Sequence, residues 1–323
     1  MRDKSVRYYP GLDILKFIMA VMIVAAHTRF LEECNGLYVF LTHLFDMAVP
    51  TFFSISAFLF YGKMYEDGFE QSKKIFLHTI KRLLIFYIIW YIIMLPMTYK
   101  TFFSIANVKE IIFAALLRST FGGYWFIKAL ILNTILLYLC RKRQNLVFLT
   151  IGSILVFVVL VLSPICDFIK IPEGVYFSFF YHTPFFVTGA WLAIYKEIFL
   201  YEKKSLLYVL VLIFLLVFLS YIDQIKDLVR MFYPLTLIPF FARIVDVDST
   251  LSKRMRVSSI IIYMSHFFVI WIYNVWVQNY TDGYAWDLSV VRFCIVLSLV
   301  LFISWIIMSG EKVKYLTFLH FLH

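Results

Sequence analysis

Long apolar segments recur along this chain of 323 residues, and they constrain its fold more than any other feature. Hydrophobic residues make up 63% of the sequence and charged residues only 15%, and the mean hydropathy is +0.86. A soluble domain of this length does not need so much apolar surface. Because a helix of about 20 apolar residues can cross a bilayer, the sequence predicts an all-α, polytopic integral membrane protein.

Windows of about 20 apolar residues predict about ten transmembrane helices in a single membrane domain over residues 1–323. The segment 102–118 is shorter and amphipathic, and we expect it to lie at the membrane interface or to re-enter the membrane. The ten predicted spans lie near residues 11–31, 41–62, 76–98, 122–140, 145–163, 175–195, 205–222, 229–245, 257–278 and 288–308.

The basic residues indicate the orientation of these spans. With the amino terminus in the cytoplasm, the inside segments hold 20 of the 30 Lys and Arg residues, and the outside segments hold 7. This bias predicts an even number of spans and two cytoplasmic termini. The net charge of +10 does not indicate a nucleic-acid partner, because the basic residues are spread over short loops and form no extended patch. We expect the cell (inner or cytoplasmic) membrane as the location.

The four cysteines give no reason to expect a metal site. Cys34, Cys140, Cys166 and Cys294 lie far apart and lack the spacing of metal ligands. If Cys34 and Cys166 both lie on the outer side, they are candidates for a disulfide bond.

The first span carries ionisable residues where apolar ones are the rule. Lys16 and His27 are separated by ten residues, and Asp13 lies three residues before Lys16. Eleven helical steps bring His27 back to within about 20° of Lys16, roughly 16 Å further along the axis. Because ionisable groups inside a membrane are costly and are usually kept for function, this stripe predicts a functional site.

Each member of the stripe has a chemical role and a plainer alternative. An imidazole accepts and returns protons near neutral pH, so His27 is a candidate general base; alternatively, it is an inert histidine at a helix end. Lys16 is a candidate anion-binding group. Asp13 can pair with Lys16, which lowers the cost of both charges, or it can simply favour the helix start.

These residues resemble membrane acyltransferase family 3, whose first span carries a basic residue, ten residues and a histidine. Lysine stands here in place of the commoner arginine. Later segments resemble further blocks of the family, with departures: Ala57 stands where glycine is usual, Thr79 replaces the first of two arginines, and Leu130 stands where some members have glutamate. The matching segments are 12–16, 49–59, 81–84, 124–130 and 262–266.

The resemblance implies transfer of an acyl group, usually acetyl, from cytoplasmic acetyl-CoA to a hydroxyl of a cell-surface or lipid-linked glycan. His27 with Asp13 would then be catalytic, and no metal is implied. Lys16, Lys81 and Arg82 would bind the donor's phosphates. The reaction would proceed by direct attack on the thioester or through an acetyl-histidine. The candidates for the substrate cavity are Arg118, Trp125, Lys128 and His266.

Two other classes of protein place ionisable residues in membrane helices. A transporter or flippase of a lipid-linked sugar or a small solute is the main alternative, although the two halves show no inverted repeat of the kind common in transporters. A membrane sensor or scaffold without chemistry is disfavoured by the stripe in the first span.

Overall fold

All regular secondary structure in the described part of the chain is helical. The computed structural model describes residues 8–66, 69–94, 97, 124–166, 175–201, 206–223, 225–244, 248–280 and 288–310. The helices in these ranges are α1 (Pro10–His27), α2 (Asn35–Phe45), α3 (Ala48–Glu66), α4 (Phe69–Ile93), α5 (Tyr124–Leu139), α6 (Arg143–Cys166), α7 (Val175–Ile194), α8 (Lys196–Tyr201), α9 (Leu206–Leu219), α10 (Lys226–Arg230), α11 (Phe232–Phe241), α12 (Ser249–Tyr280) and α13 (Ser289–Gly310).

Five helical stretches in the described ranges are long and apolar enough to cross a membrane. The all-helical class and a chain with several membrane spans are therefore confirmed, while the count of ten and the cytoplasmic termini stay predictions. The amphipathic segment 102–118 lies outside the described residues. The five stretches are Pro10–His27, Asn35–Tyr65, Glu70–Ile93, Ser249–Val277 and Ser289–Gly310.

The outer surface of the bundle is apolar and its interior contains polar side chains. Phe148 on α6 is 74% exposed, and Leu207 on α9 is 71% exposed. In contrast, Ser54 on α3 and Asn133 on α5 are fully or almost fully buried. A surface of this kind is stable only when lipid covers it. The distribution therefore agrees with a protein whose helices contact the bilayer directly.

A close contact between backbones joins α3 to α7. A Cβ atom added at Gly189 would lie 2.0 Å from the carbonyl oxygen of Ser54, so only glycine fits this crossing. The Ser54 hydroxyl donates a hydrogen bond of 2.6 Å to the Phe185 carbonyl of α7. Small residues that let backbones approach, together with hydrogen bonds between helices, are the usual means of packing membrane helices.

Helices α1 and α12 run in the same direction, and α13 runs in the opposite direction beside them. At the start of α1, the Tyr8 and Ser252 hydroxyls are 2.5 Å apart; at its end, the rings of His27 and His266 lie next to each other. Ser304 of α13 donates to Ser258 of α12 at 2.8 Å, whereas the start of α13 contacts the segment that follows His27. The beginning of α1 and the end of α13 therefore lie at the same end of the bundle.

A defined helix cap ends α1 immediately after His27. The backbone N–H of Arg29 donates to the Ala26 carbonyl at 3.2 Å, and that of Phe30 donates to the Ala25 carbonyl at 2.9 Å. This pair of hydrogen bonds is the Schellman motif, which requires the left-handed conformation at one position. Arg29, with φ of 57°, occupies that position although glycine suits it best. The cap fixes His27 as the last helical residue.

Glu33 anchors the segment after α1 to the start of α13. The Ser289 backbone N–H donates to the Glu33 carboxylate at 2.6 Å, the Ser289 hydroxyl donates to the same carboxylate, and the Glu32 N–H donates to the Ser289 hydroxyl at 3.2 Å. These bonds from the Ser289 side chain and backbone lower the pKa of Glu33. A carboxylate is also favoured at a helix N-terminus.

Replacement of Gly189 tests the contact between α3 and α7. We expect Gly189→Ala to destabilise the protein by about 1–3 kcal/mol, the usual cost of overpacking, because the new methyl group meets backbone that cannot move aside. The measurement is the thermal unfolding midpoint of the purified protein in detergent. Gly152→Ala on α6 is the matched control, since nothing lies within 4 Å of its added Cβ. An equal drop for both variants would contradict the proposed close contact.

Glu33→Gln tests the anchor to α13. Because the folded state lowers the pKa of Glu33, its stabilisation is present above the unfolded value of about 4.3 and is lost as the pH falls through the lowered value. We expect the variant to unfold at a lower temperature than wild type at pH 7, and the difference to shrink as the pH falls below about 4.

Glu32→Gln is the control for this measurement, because the Glu32 side chain pairs with Arg29 at 2.6 Å and both side chains are accessible to solvent. An exposed ion pair contributes little to stability, so this variant should unfold close to wild type. A pH-independent difference for Glu33→Gln would exclude the anchoring role of the carboxylate.

Candidate active site

A buried carboxylate organises the first turns of α1. Asp13 is 3% exposed; it accepts a hydrogen bond of 2.8 Å from the Tyr8 hydroxyl and lies 3.7 Å from the Lys16 amine. The Lys16 side chain is only 14% exposed. The pairing expected from the three-residue spacing is therefore present, and it holds the Lys16 side chain against the body of the bundle.

Two arginines from other helices lie within electrostatic range of Lys16. Arg82 comes from α4 and Arg256 from α12, and the Arg256 guanidinium also lies over the Tyr8 ring, 6.0 Å from its centre. With Asp13, these side chains make a group of three cations and one carboxylate. We call Lys16, Arg82 and Arg256 the basic cluster. A group with this excess of cations is suited to bind a polyanion.

His27 occupies the other end of α1, where it packs on α12. Its ring centre is 5.2 Å from that of His266, with an interplanar angle of 27°, and 4.4 Å from that of Phe267. His27 is exposed, whereas His266 is completely buried. The exposed imidazole of His27 therefore lies against the buried imidazole of His266.

The basic cluster and the histidine pair lie on one side of α1. Arg256 and His266, the partners at the two ends, both belong to α12. Lys16 and His27 are roughly 16 Å apart along the helix axis, so the spacing that placed them on one face is matched by their contacts with one neighbouring helix. Asp13, roughly 21 Å before His27 by the same rise, contacts Lys16 and Tyr8 and not His27.

The aromatic cavity candidates form a separate group that reaches the histidines through Tyr263. Trp125 on α5 lies 4.7 Å from the His182 ring. The neighbouring Phe126 lies 4.8 Å from the Tyr263 ring, and Tyr263 lies 5.8 Å from His266. Trp125 is thus connected to the pair of His27 and His266 through packed rings.

The remaining candidates occupy different surroundings. Lys128 is 8% exposed, and its amine lies 5.9 Å from the centre of the Tyr87 ring. Lys81 is exposed on α4, one position before Arg82. Arg118 lies outside the described residues. Cys34 carries a free thiol, and the side chain of Cys166, its candidate disulfide partner, lies outside the described residues.

Arg256 is a member of the basic cluster that the sequence pattern did not predict, because in the sequence it contributes only one charge to an inside segment. One signal was available: Arg256 precedes His266 by ten residues, much as Lys16 precedes His27 by eleven. Two parallel helices that each carry a basic residue and a histidine at nearly the same rise can place both pairs side by side. Within the described ranges, no group of three or more His, Cys, Asp or Glu side chains could hold a metal ion.

Comparison with known proteins places this arrangement in a family. The chain matches no curated protein and no solved structure. A family model described as an acyltransferase domain, that of acyltransferase family 3, matches residues 9–309. The match covers nearly the whole chain, including the basic cluster, His27, His266 and, apart from Gly310, all five candidate membrane spans. This multi-pass membrane protein therefore belongs to acyltransferase family 3.

Proposed function

We propose that the protein is a membrane O-acyltransferase that moves an acetyl group from cytoplasmic acetyl-CoA to a hydroxyl of a cell-surface or lipid-linked glycan. One observation carries the proposal: α1 brings Lys16 to the basic cluster in its first half and carries an accessible imidazole at its last residue, with α12 contributing Arg256 and His266 to the two places. An acyl-CoA has the matching form, a polyanionic nucleotide joined by a long thin arm to a reactive thioester.

In this proposal the basic cluster binds the phosphates of the donor. Guanidinium groups form strong, directional hydrogen bonds with phosphate oxygens, and Arg82 and Arg256 approach Lys16 from two other helices. Asp13 acts through Lys16: its carboxylate holds the amine 3.7 Å away and sets the position of the cation. Lys81, exposed beside Arg82, adds to the attraction of the anionic donor.

His27 is the general base in this reaction. A neutral ring nitrogen takes the proton from the acceptor hydroxyl, whose oxygen attacks the thioester carbonyl carbon. The new ester C–O bond forms as the C–S bond breaks, and the leaving thiolate takes the proton from the imidazolium. The reaction therefore leaves His27 neutral and needs no metal, oxidant or reductant.

The aromatic group around Trp125 is the proposed wall of the acceptor cavity. Its rings connect to the histidine pair through Phe126 and Tyr263, and aromatic faces pack well against the apolar faces of sugars. Lys128, buried above the Tyr87 ring, and Arg118 are the further candidates to bind the glycan. We place the protein in the cell (inner or cytoplasmic) membrane, where acetyl-CoA is supplied from the cytoplasmic side.

His27→Ala tests the chemical role directly. We expect transfer of label from radiolabelled acetyl-CoA to membrane glycan to fall by at least about 100-fold, because general base catalysis contributes roughly 10²–10⁴-fold. The measurement compares membranes that contain equal amounts of wild-type and variant protein, with release of free CoA thiol recorded in parallel. A transporter would move its substrate without consuming the thioester.

The control for this variant is His43→Gln, which replaces a buried histidine elsewhere in the bundle. His43 bonds to the Ser220 hydroxyl at 2.9 Å, away from α12. Transfer should persist in this variant as long as the protein remains folded. Equal incorporation of label by wild type and His27→Ala would remove His27 from the mechanism.

The basic cluster is tested by acetyl-CoA binding. We expect Lys16→Ala and Arg256→Gln each to raise the Kd by about tenfold or more, since a hydrogen bond to a charged group contributes about 1.5–3 kcal/mol. Lys16→Arg should bind more tightly than Lys16→Ala, because it keeps the cation. The measurement is calorimetric titration of the detergent-purified protein with acetyl-CoA at low and high salt.

Lys253→Gln is the matched control, because Lys253 is an exposed cation one turn before Arg256 on the same helix. Its Kd should stay close to the wild-type value. Equal losses for Lys253→Gln and Arg256→Gln would show a general effect of charge instead of a binding site. Equal losses for Lys16→Ala and Lys16→Arg would assign Lys16 to packing.

A further inference from the structure

His266 has one ring nitrogen that is satisfied and one that is not. Its Nδ1 lies 2.6 Å from the Tyr263 carbonyl oxygen and 3.2 Å from that of Ile262. Both partners can only accept hydrogen bonds, so Nδ1 must carry the ring hydrogen. In the neutral imidazole, Nε2 then presents a lone pair and can act only as an acceptor.

The Nε2 atom of His266 is buried and has no hydrogen-bond partner within the described part of the chain. The residue as a whole is 0% exposed. Because a buried acceptor that gives up its bond with water costs free energy unless it is satisfied, a position of this kind needs a donor. The side chains packed against this ring include His27 and Phe267, with centres 5.2 and 4.3 Å away.

The distance between the two imidazoles leaves room for a hydrogen bond between them, although His266 Nε2 has no partner in the described part of the chain. Two ring nitrogens that each lie roughly 1.2 Å from their ring centre, joined by a bond of about 2.9 Å, give a centre-to-centre distance of about 5.3 Å. The observed distance is 5.2 Å, and the rings are inclined by 27°. A ring N–H of His27 turned toward Nε2 would therefore satisfy this buried acceptor.

We propose that His266 is a positioning residue whose Nε2 accepts a hydrogen bond from the ring N–H of His27. This inference rests on the role of His27 proposed above. The bond fixes the tautomer of His27, so that its other nitrogen keeps a lone pair for the acceptor hydroxyl. When that nitrogen takes the proton, the imidazolium N–H remains bonded to His266 until the thiolate leaves. The same logic applies wherever a second group orients a catalytic imidazole.

Two replacements at one position separate this role from packing. His266→Gln keeps an acceptor oxygen close to the position of Nε2, whereas His266→Phe keeps a ring and offers no acceptor. We expect kcat for acetyl transfer to fall by about tenfold to a hundredfold in His266→Phe and clearly less in His266→Gln, with KM for acetyl-CoA unchanged in both. Ser265→Ala, which removes only a bond to the Ile261 carbonyl of the same helix, controls for disturbance of α12.

A spectroscopic readout does not depend on activity. The ¹⁵N shifts of histidine-labelled protein distinguish a ring nitrogen that carries hydrogen from one that does not, and the His27→Ala variant identifies the signals of His27. We expect one tautomer of His27 in wild type and in His266→Gln, and a mixture in His266→Phe.

The two proposals fail in different ways. Full label transfer by His27→Ala would overturn the proposed function. Loss of transfer in His27→Ala, combined with equal kcat in His266→Gln and His266→Phe or with an unchanged tautomer of His27 in His266→Phe, would overturn only the role of His266. If His266→Phe does not fold, the wild-type spectrum still tests the proposal: a mixture of His27 tautomers there would overturn the role of His266.

Discussion

The parallel packing of α1 on α12 is the constraint on which the rest of the site depends. The helices touch at both ends of α1, through Tyr8 and Ser252 at its start and through His27 and His266 at its end. Two contacts so far apart fix both the rotation of α1 about its axis and its position along α12. The cap after His27 and the Glu33–Ser289 bonds then prevent the end of α1 from extending or unwinding. The orientation of Lys16 and the orientation of His27 are thus consequences of one packing arrangement.

A contribution to folding stability does not explain why Asp13 and the basic cluster lie in the bundle. Taking ions out of water costs more than a single salt bridge usually returns, and apolar residues of similar volume often serve a fold as well or better. Asp13 and Lys16 are both largely removed from solvent, and Arg82 and Arg256 add electrostatic repulsion at Lys16. The binding of an anion would offset this repulsion, because its negative charge attracts all three cations. This energetic balance therefore favours a ligand-binding role for the basic cluster.

Much of the site could be predicted from the sequence because one helix carries its main elements. The rotation of about 100° per residue places Lys16 and His27 on one face whatever surrounds them, and the pairing of Asp13 with Lys16 follows from local spacing alone. The contribution of α12 could not be derived in this way. That Arg256 approaches Lys16, and that His266 lies behind His27, depends on which helices pack together and in which direction. Hydropathy shows where the helices lie in the sequence but not which of them pack together. The close contact at Gly189 likewise depends on the backbone of another helix, which the sequence alone does not identify.

The distance between the two ends of α1 also explains how the proposed reactants could meet. A helix of 18 residues is about 27 Å long at 1.5 Å per residue, close to the thickness of the hydrocarbon core. Lys16 lies six residues after the start of α1, roughly 9 Å along the axis, so a nucleotide held at the basic cluster would keep its phosphates in the half of the bundle where α1 begins. The uncharged arm alone would have to enter the bundle and extend along α1 for roughly 16 Å to bring the thioester to His27. A glycan that approaches from the other surface would meet the acyl group at the accessible imidazole, so that neither the polyanion nor the sugar has to cross the apolar interior.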